Sequence, residues 1–255
     1  MTESTALGVP QALRPPRPRW GFWATTAWGI AIFAVLQAAQ FGAIVALLLA
    51  WRRIDPASVP TSAHAALSNA IVLSVCTLAA LPTIVLGIAF ATRLARARFI
   101  DYLALKPVDP AGFRLGLACT IAWVVAIHLF GYLSGHGLTQ SFTRELYASA
   151  HAGMLLPLLA MVVVAAPIYE ELLFRGFLFR GWAASRIGVV GAVILSSLIW
   201  AGLHIQYDAI TIGEIFGLGL LFGWLRARTG STLTTIALHG IANLCTTIVA
   251  AVAAG

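Results

Sequence analysis

The chain has 255 residues, of which 60% are hydrophobic and 10% are charged, and its formal net charge at pH 7 is +7. Charged residues make up about 25% of a soluble domain, so this composition and a mean hydropathy of +0.91 exclude an ordinary soluble enzyme and indicate a polytopic helical membrane protein. The positive charge does not indicate nucleic-acid binding, because the basic residues lie between apolar runs, where they act as topology signals.

The chain begins with a polar segment, and seven apolar stretches follow it. Residues 1–20 are rich in proline and arginine, which predicts a disordered cytoplasmic tail. Each later stretch approaches or exceeds the ~20 apolar residues that a transmembrane helix needs. The sequence therefore predicts an all-α, polytopic transmembrane helical bundle of about seven to eight spans. The seven stretches cover residues 22–50, 67–92, 113–134, 154–179, 187–206, 209–225 and 233–253.

The distribution of basic residues predicts the orientation of the bundle, because cytoplasmic loops carry an excess of Lys and Arg. With the N-terminus in the cytoplasm, thirteen basic residues fall in cytoplasmic segments and only Arg52, Arg53 and Arg144 fall outside. Fifteen of the sixteen basic residues are arginine, a bias typical of high-GC bacterial genomes. We therefore expect an integral protein of the bacterial inner (plasma) membrane, with its N-terminus inside and its C-terminus outside.

The fourth apolar stretch contains two adjacent carboxylates in the run AAPIYEELLFRGFLFRGW, residues 165–182. A charge at bilayer depth costs about 3 kcal/mol on insertion scales, so such residues are functional candidates. Glu171 and Arg175 have the spacing of an ion pair on one helical face, which favours a structural role for Glu171. Glu170 projects about 100° away without a local partner. It is therefore a candidate general base, unless it pairs with another helix.

Two further polar pairs lie in later apolar stretches. His204 follows Trp200 by one helical turn, and Asn243 follows His239 by the same spacing. Taken singly, each pair is explained by interhelical hydrogen bonding. Taken with Glu170, they supply a base, a second titratable group and donors for a developing oxyanion, which is the equipment for hydrolysing an amide with an activated water.

These three motifs resemble those of the CPBP family of intramembrane proteases, which includes the type II CAAX prenyl endopeptidases and bacterial Abi-like proteins linked to bacteriocin processing and immunity. The family motifs are EExxxR, FxxxH and HxxxN, and Trp200 stands here in the Phe position. The replacement of Phe by Trp keeps an aromatic side chain at this position, so it affects the shape of the pocket. The resemblance predicts a catalytic helical core at residues 151–255, after N-terminal transmembrane helices at 21–150 that carry no assigned motif.

The resemblance implies an intramembrane endopeptidase. Glu170 and His204 would activate the attacking water, while His239 and Asn243 would stabilise the oxyanion. Family members have been described as metalloproteases, and a zinc ion, if present, would be bound by Glu170, His204 and His239. The sequence lacks HExxH, so a glutamate-type mechanism without a cofactor is favoured over a zinc metalloprotease.

Alternative functions are a catalytically silent membrane scaffold or immunity protein, and a proton-coupled transporter. Retention of all four polar positions argues against the silent scaffold, and no inverted repeat supports a transporter. The expected partners are the lipid bilayer and a membrane-associated peptide or protein, CAAX-like or bacterial, cut near the cytoplasmic side. The sequence does not specify the oligomeric state.

The predicted helices leave a problem of depth. Glu170 lies sixteen residues into a helix entered from outside, and His204 lies seventeen residues into one entered from inside. Each would be about 25 Å from its own surface at 1.5 Å per residue, too far apart in a core of about 30 Å. We therefore expect the helix of Glu170 to continue beyond Phe179, or the next helix to begin after Ile187.

Overall fold

A computed structural model describes residues 20–137, 141–150 and 153–254. The predicted disordered tail, apart from Trp20, lies outside the described residues. The described residues are 82% helical and contain no strand. The prediction of an all-α transmembrane bundle is therefore confirmed.

Ten helices form the described part of the chain, and four of them are short. A single 3₁₀ turn, Pro56–Ser58, follows the first helix. The helices are α1 (Phe22–Ile54), α2 (Ala63–Leu67), α3 (Ala70–Leu94), α4 (Phe99–Tyr102), α5 (Pro110–Leu133), α6 (Ser141–Ala148), α7 (Leu155–Ala183), α8 (Gly188–Gly202), α9 (Ala209–Thr229) and α10 (Thr232–Ala254).

Six of the described helices are long and apolar enough to cross a membrane, namely α1, α3, α5, α7, α9 and α10. The fifth predicted span corresponds to α8, which has only 15 residues and is apolar but short. At 1.5 Å per residue α8 is about 22 Å long, so it stops short of the full hydrocarbon thickness. This early end leaves His204 on a non-helical turn inside the bundle.

The central helix α7 is 29 residues long and changes its hydrogen-bonding pattern twice. Its segments Ala160–Ala165 and Leu172–Leu178 are π-helical, a geometry that is often found at functional sites. Every residue from 171 to 179 is buried. An apolar helical segment that is buried all round belongs at the centre of a bundle, and α7 accordingly contacts α1, α3, α8, α9 and α10.

The length of α7 resolves the problem of depth. The helix continues beyond Phe179 to Ala183, as expected, and α8 begins at Gly188. Glu170 therefore lies thirteen residues before Ala183, where α7 ends, and His204 lies sixteen residues after Gly188, where α8 begins. The corresponding heights above the turn between the two helices are about 20 Å and about 24 Å, so the two side chains lie at similar depth.

Small residues let α9 and α10 approach their neighbours closely, as such residues commonly do between membrane helices. A Cβ atom on Gly240 would lie 2.6 Å from the backbone oxygen of Val163, and one on Gly219 would lie 2.9 Å from the Cβ of Ser197. Neither position has room for a side chain. The glycines of these two helices with such close neighbours are Gly217, Gly219, Gly223 and Gly240.

Candidate active site

The four residues that the motifs singled out for catalysis meet at one cavity. Glu170 on α7, His204 just after α8, and His239 and Asn243 on α10 all line a cavity of about 590 Å³. Trp200, near the end of α8, lines it as well. The cavity has a size typical of substrate pockets, so the bundle gathers these polar side chains around a space that can hold a ligand.

Behind this cavity lies a buried ionic cluster on the neighbouring face of α7. Glu171 and Arg175 are both 0% exposed, and the Arg175 Nη1 donates to Glu171 Oε1 at 3.0 Å. His239 Nδ1 contacts the same carboxylate oxygen at 3.1 Å. A second Arg175 nitrogen donates to the Gly219 backbone oxygen at 3.2 Å. Glu171 therefore has a second partner, on α10, that its spacing from Arg175 did not predict.

The burial of Arg175 corrects the charge count used for orientation. Its side chain lies inside the bundle rather than in a cytoplasmic loop. Removing it from the thirteen leaves twelve basic residues predicted on the cytoplasmic side against three outside. The orientation favoured by the positive-inside rule is unchanged.

Trp200 contacts Glu170 through a hydrogen bond. It is 2% exposed, and its Nε1 donates to Glu170 Oε2 at 2.6 Å. The guanidinium carbon of Arg175 lies 4.5 Å from the centre of the indole ring, within cation–π range. Glu170 thus has its partner on another helix, the alternative that the sequence left open. A phenylalanine at this position would have no N–H to offer, so the Trp for Phe difference changes a polar contact as well as the pocket shape.

The local contacts of His204 fix its tautomer. Its Nδ1 lies 2.8 Å from the Trp200 backbone oxygen. A carbonyl oxygen only accepts, so Nδ1 carries the proton and Nε2 of the neutral ring keeps its lone pair. The ring is stacked on Tyr207, with centroids 6.3 Å apart. Burial raises the pKa of Tyr207, so its hydroxyl stays protonated at neutral pH.

Asn243 uses one of its two amide protons within the bundle. Its Nδ2 donates to the backbone oxygen of Val162 at 2.9 Å. Val162 lies in the first π-helical segment of α7, where the change in backbone hydrogen bonding leaves carbonyl groups to be satisfied by side chains. Among the described residues the second amide proton of Asn243 has no hydrogen-bond partner, and Asn243 lines the cavity.

The structure adds cavity residues that sequence reasoning missed. Tyr207 and Tyr169 line the cavity, as does Gln40, whose amide donates to the Cys76 backbone oxygen at 3.3 Å. The sequence could have identified Gln40, because an amide in a transmembrane helix is energetically unfavourable unless it has a hydrogen-bond partner. Nothing in the sequence indicated Tyr207, because a tyrosine in a short loop is common.

Glu214 also lines the cavity, and the neighbouring Asp208 does not. Asp208 caps α9 by accepting from the backbone N–H of Thr211 at 2.8 Å. That hydrogen bond lowers the pKa of Asp208. The two acidic residues at this helix start therefore have separate roles, one as a cap and one as a wall of the cavity.

The three predicted zinc ligands, Glu170, His204 and His239, are engaged by other contacts. Among the described residues, no three His, Cys, Asp or Glu side chains are grouped as metal ligands. The Oε2 of Glu170 is bonded to an indole N–H, and the rings of His204 and His239 each pack edge-on against Trp200, with centroids 5.3 and 5.2 Å from it. In this arrangement the three predicted ligands do not fit a metal site.

Comparison with known proteins identifies the part of the chain that carries this site. Residues 152–245 match the family described as type II CAAX prenyl endopeptidase Rce1-like. The matched segment contains all three motifs, and the match confirms the resemblance to the CPBP proteases.

One curated relative is similar over about half of the chain. It is an uncharacterized 24.3 kDa protein of Escherichia coli, 26% identical over 144 residues. The similarity covers 54% of this chain and 66% of the relative, so the chain spans just under two thirds of the relative's length. No solved structure matches the chain.

Proposed function

We propose that this protein is an intramembrane endopeptidase that hydrolyses a peptide bond of a membrane-associated substrate. The observation that carries this proposal is the convergence of Glu170, His204, His239 and Asn243 on one cavity inside the bundle. All four lie in the segment that matches a family of endopeptidases. A carboxylate and an imidazole beside a cavity are suited to activating water, and the remaining polar groups are suited to binding an oxyanion.

Water activation falls to Glu170 and His204. The Trp200 N–H binds one oxygen of the Glu170 carboxylate, which leaves the other oxygen to take a proton from water. The Nε2 lone pair of His204 accepts the second O–H and orients the water. The water oxygen then forms a bond to the peptide carbonyl carbon, and the carbonyl electron pair moves to its oxygen.

Oxyanion stabilisation falls to His239 and Asn243. The Nδ1–H of His239 donates to Glu171. When the ring also carries a proton on Nε2, this second N–H donates into the cavity. The free amide proton of Asn243 is the second donor. The intermediate collapses when Glu170 returns its proton to the amide nitrogen, the C–N bond breaks, and the new amine leaves.

The charges of the cluster balance in this state. Glu170 and Glu171 are negative, and Arg175 and the doubly protonated His239 are positive. Glu171 has Arg175 and His239 within 3.0 and 3.1 Å, while Glu170 is held by the Trp200 N–H. Such a set can be held inside a membrane protein when its charges are paired or hydrogen-bonded. Glu171 and Arg175 are then positioning residues, because they act on the substrate only through His239.

A cleavage assay tests the proposed function. We expect the purified protein in proteoliposomes to cut at least one member of a library of membrane-anchored peptides that includes a prenylated CAAX reporter. We further expect a strong chelator to leave the rate unchanged. Failure to cut any peptide would favour a silent scaffold. Stoichiometric bound zinc together with loss of activity on chelation would contradict the glutamate mechanism.

Replacing Trp200 by phenylalanine tests the hydrogen bond to Glu170. A hydrogen bond to a charged group contributes about 1.5–3 kcal/mol, so we expect kcat to fall about ten- to a hundredfold while KM stays nearly constant. The matched control is Trp224→Phe, because Trp224 is an exposed tryptophan on α9 that contacts Arg228. A rise in KM at unchanged kcat would show that Trp200 only shapes the pocket.

A further inference from the structure

We propose that the substrate reaches this cavity from the extracytoplasmic side, as a short extended segment of a membrane-anchored polypeptide next to its membrane helix. This inference rests on the proposed function and names the substrate class of the same site. It differs from cleavage near the cytoplasmic side, which the sequence led us to expect. Three observations carry it: the position of the cavity, the distribution of charge, and the closure of the opposite end.

The cavity occupies one end of the bundle, which we call the cavity end. Helix α1 lines it with its middle, from Phe33 to Gln40. Helices α5 and α8 line it with their C-terminal portions, and α3 and α9 line it with their N-terminal portions. Successive spans alternate in direction, so these terminal portions all lie at the same end. Representative lining residues are Gln40, Thr77, His128, Leu203, Glu214 and Thr246.

The rim of the cavity consists of loop residues at this end. Gln206 and His136 line it and are exposed. Helix α6 lies beside them, where Phe142 packs edge-on against Tyr207, with ring centroids 5.3 Å apart. The hydroxyl of Tyr147 lies 2.5 Å from that of Thr247 on α10. The mouth is thus formed by short polar and aromatic segments rather than by spanning helices.

The opposite end carries most of the positive charge. Arg175 lies within the bundle and is left out of the count. Nine of the other described basic residues, of which only Arg226 is buried, lie at that end, and three lie at the cavity end. Because the positive-inside rule places the Lys- and Arg-rich ends of spans in the cytoplasm, the cavity end faces the other way. The nine residues are Arg93, Arg96, Arg98, Lys106, Arg114, Arg180, Arg186, Arg226 and Arg228.

The basic end is also closed by a stretch that we call the closing segment, residues 99–106. Tyr102 and Leu103 in this segment are 2% and 0% exposed. The Tyr102 ring is stacked on Phe177 of α7, with centroids 5.6 Å apart. The Thr232 hydroxyl at the start of α10 donates to the Leu103 backbone oxygen at 2.6 Å. The closing segment is therefore packed into the helices rather than lying over them.

Two arginines form hydrogen bonds that link the helices and the closing segment at the basic end. Arg180 on α7 donates to the backbone oxygen of Asp101 at 2.9 Å. Arg226 on α9 donates from Nε to the backbone oxygen of Arg175 and to the Thr232 hydroxyl, both at 3.0 Å. A peptide that approached from the basic end would have to break these contacts before reaching Glu170. A peptide that approaches from the cavity end meets a rim that, among the described residues, is formed by exposed side chains such as Gln206 and His136.

The size of the cavity limits what can enter. A volume of about 590 Å³ is within the range of substrate pockets. A transmembrane helix about 10 Å across and about 30 Å long is much larger. The cavity therefore takes a short extended stretch, with the rest of the substrate held in the lipid or in the extracytoplasmic space.

Cysteine labelling decides which side the cavity faces without depending on activity. In a background with Cys76, Cys119 and Cys245 changed to serine, we compare Gln206→Cys at the rim with Arg186→Cys at the basic end, both exposed positions. A membrane-impermeant maleimide applied to intact cells should label the first variant, and should label the second only after lysis. The reverse pattern would overturn the inference.

A pair of reporters then tests the substrate class. Each is a single-span protein with the same peptide, chosen from those cut in proteoliposomes, placed next to its helix on either the extracytoplasmic or the cytoplasmic face. We expect cleavage of the extracytoplasmic reporter only, and none with Glu170→Gln. Cleavage of the cytoplasmic reporter alone would overturn the inference but leave the protease function intact. Absence of cleavage in the proteoliposome library would instead refute the protease function, and the labelling would still decide the side.

Discussion

Replacing Glu170 by glutamine is expected to abolish peptide hydrolysis while leaving the fold intact. General base catalysis typically contributes about 10²- to 10⁴-fold to a rate, so the single-turnover cleavage rate should fall by at least two orders of magnitude. The amide oxygen of glutamine can still accept the Trp200 N–H, which holds Glu170 at 2.6 Å. The side-chain position is therefore kept, and the ability to take a proton is lost.

The control for this variant is Glu214→Gln. Glu214 lines the same cavity from α9, so its replacement removes one negative charge from the wall without touching the water-activating pair. We expect at most a severalfold change in its cleavage rate. Equal losses in the two variants would mean that the total cavity charge matters rather than the base, and an active Glu170→Gln protein would end the glutamate mechanism.

Replacing Glu171 by glutamine is expected to have its main effect on stability. Removing one partner of a buried ion pair costs about 3–5 kcal/mol, because the remaining charge is left without compensation. Here the remaining charge is Arg175, 0% exposed and bonded to Glu171 at 3.0 Å. The midpoint of thermal unfolding in detergent should fall sharply, with a matching loss of monodisperse protein.

Two further variants sharpen this prediction. Asp101→Asn breaks the exposed Arg98–Asp101 pair, whose atoms are 3.5 Å apart, and should change stability by less than about 1 kcal/mol. The double variant with Glu171→Gln and Arg175→Met should be more stable than Glu171→Gln alone, because an apolar side chain then replaces the uncompensated charge. A double variant less stable than the single one would show that Glu171 stabilises the fold chiefly through His239.

Together these two predictions separate adjacent carboxylates that sequence alone presents as equivalent. They lie on different faces of α7, one directed at the cavity and one at the helices behind it. Loss of the first should affect the rate, and loss of the second should affect folding before it affects the rate. The separation follows from the 100° turn between neighbouring helical residues.

The sequence by itself determined the features that depend on local chemistry and on the bilayer. Long apolar runs predicted helical spans because only an internally hydrogen-bonded helix satisfies the backbone in lipid. The spacing of Glu171 and Arg175 predicted their contact because residues four apart share a helical face. Three motifs, on α7, at the end of α8 and on α10, predicted the resemblance that the comparison confirmed.

Only the tertiary structure decided which side chains meet across helices. Trp200 and Glu170 are 30 residues apart, and His239 and Glu171 are 68 apart. Such contacts depend on the rotation and depth of each helix, which are set by packing against its neighbours. The point where α7 ends, the two π-helical segments that adjust its register, and the packed closing segment all follow from that packing, and hydropathy along a single chain does not encode them.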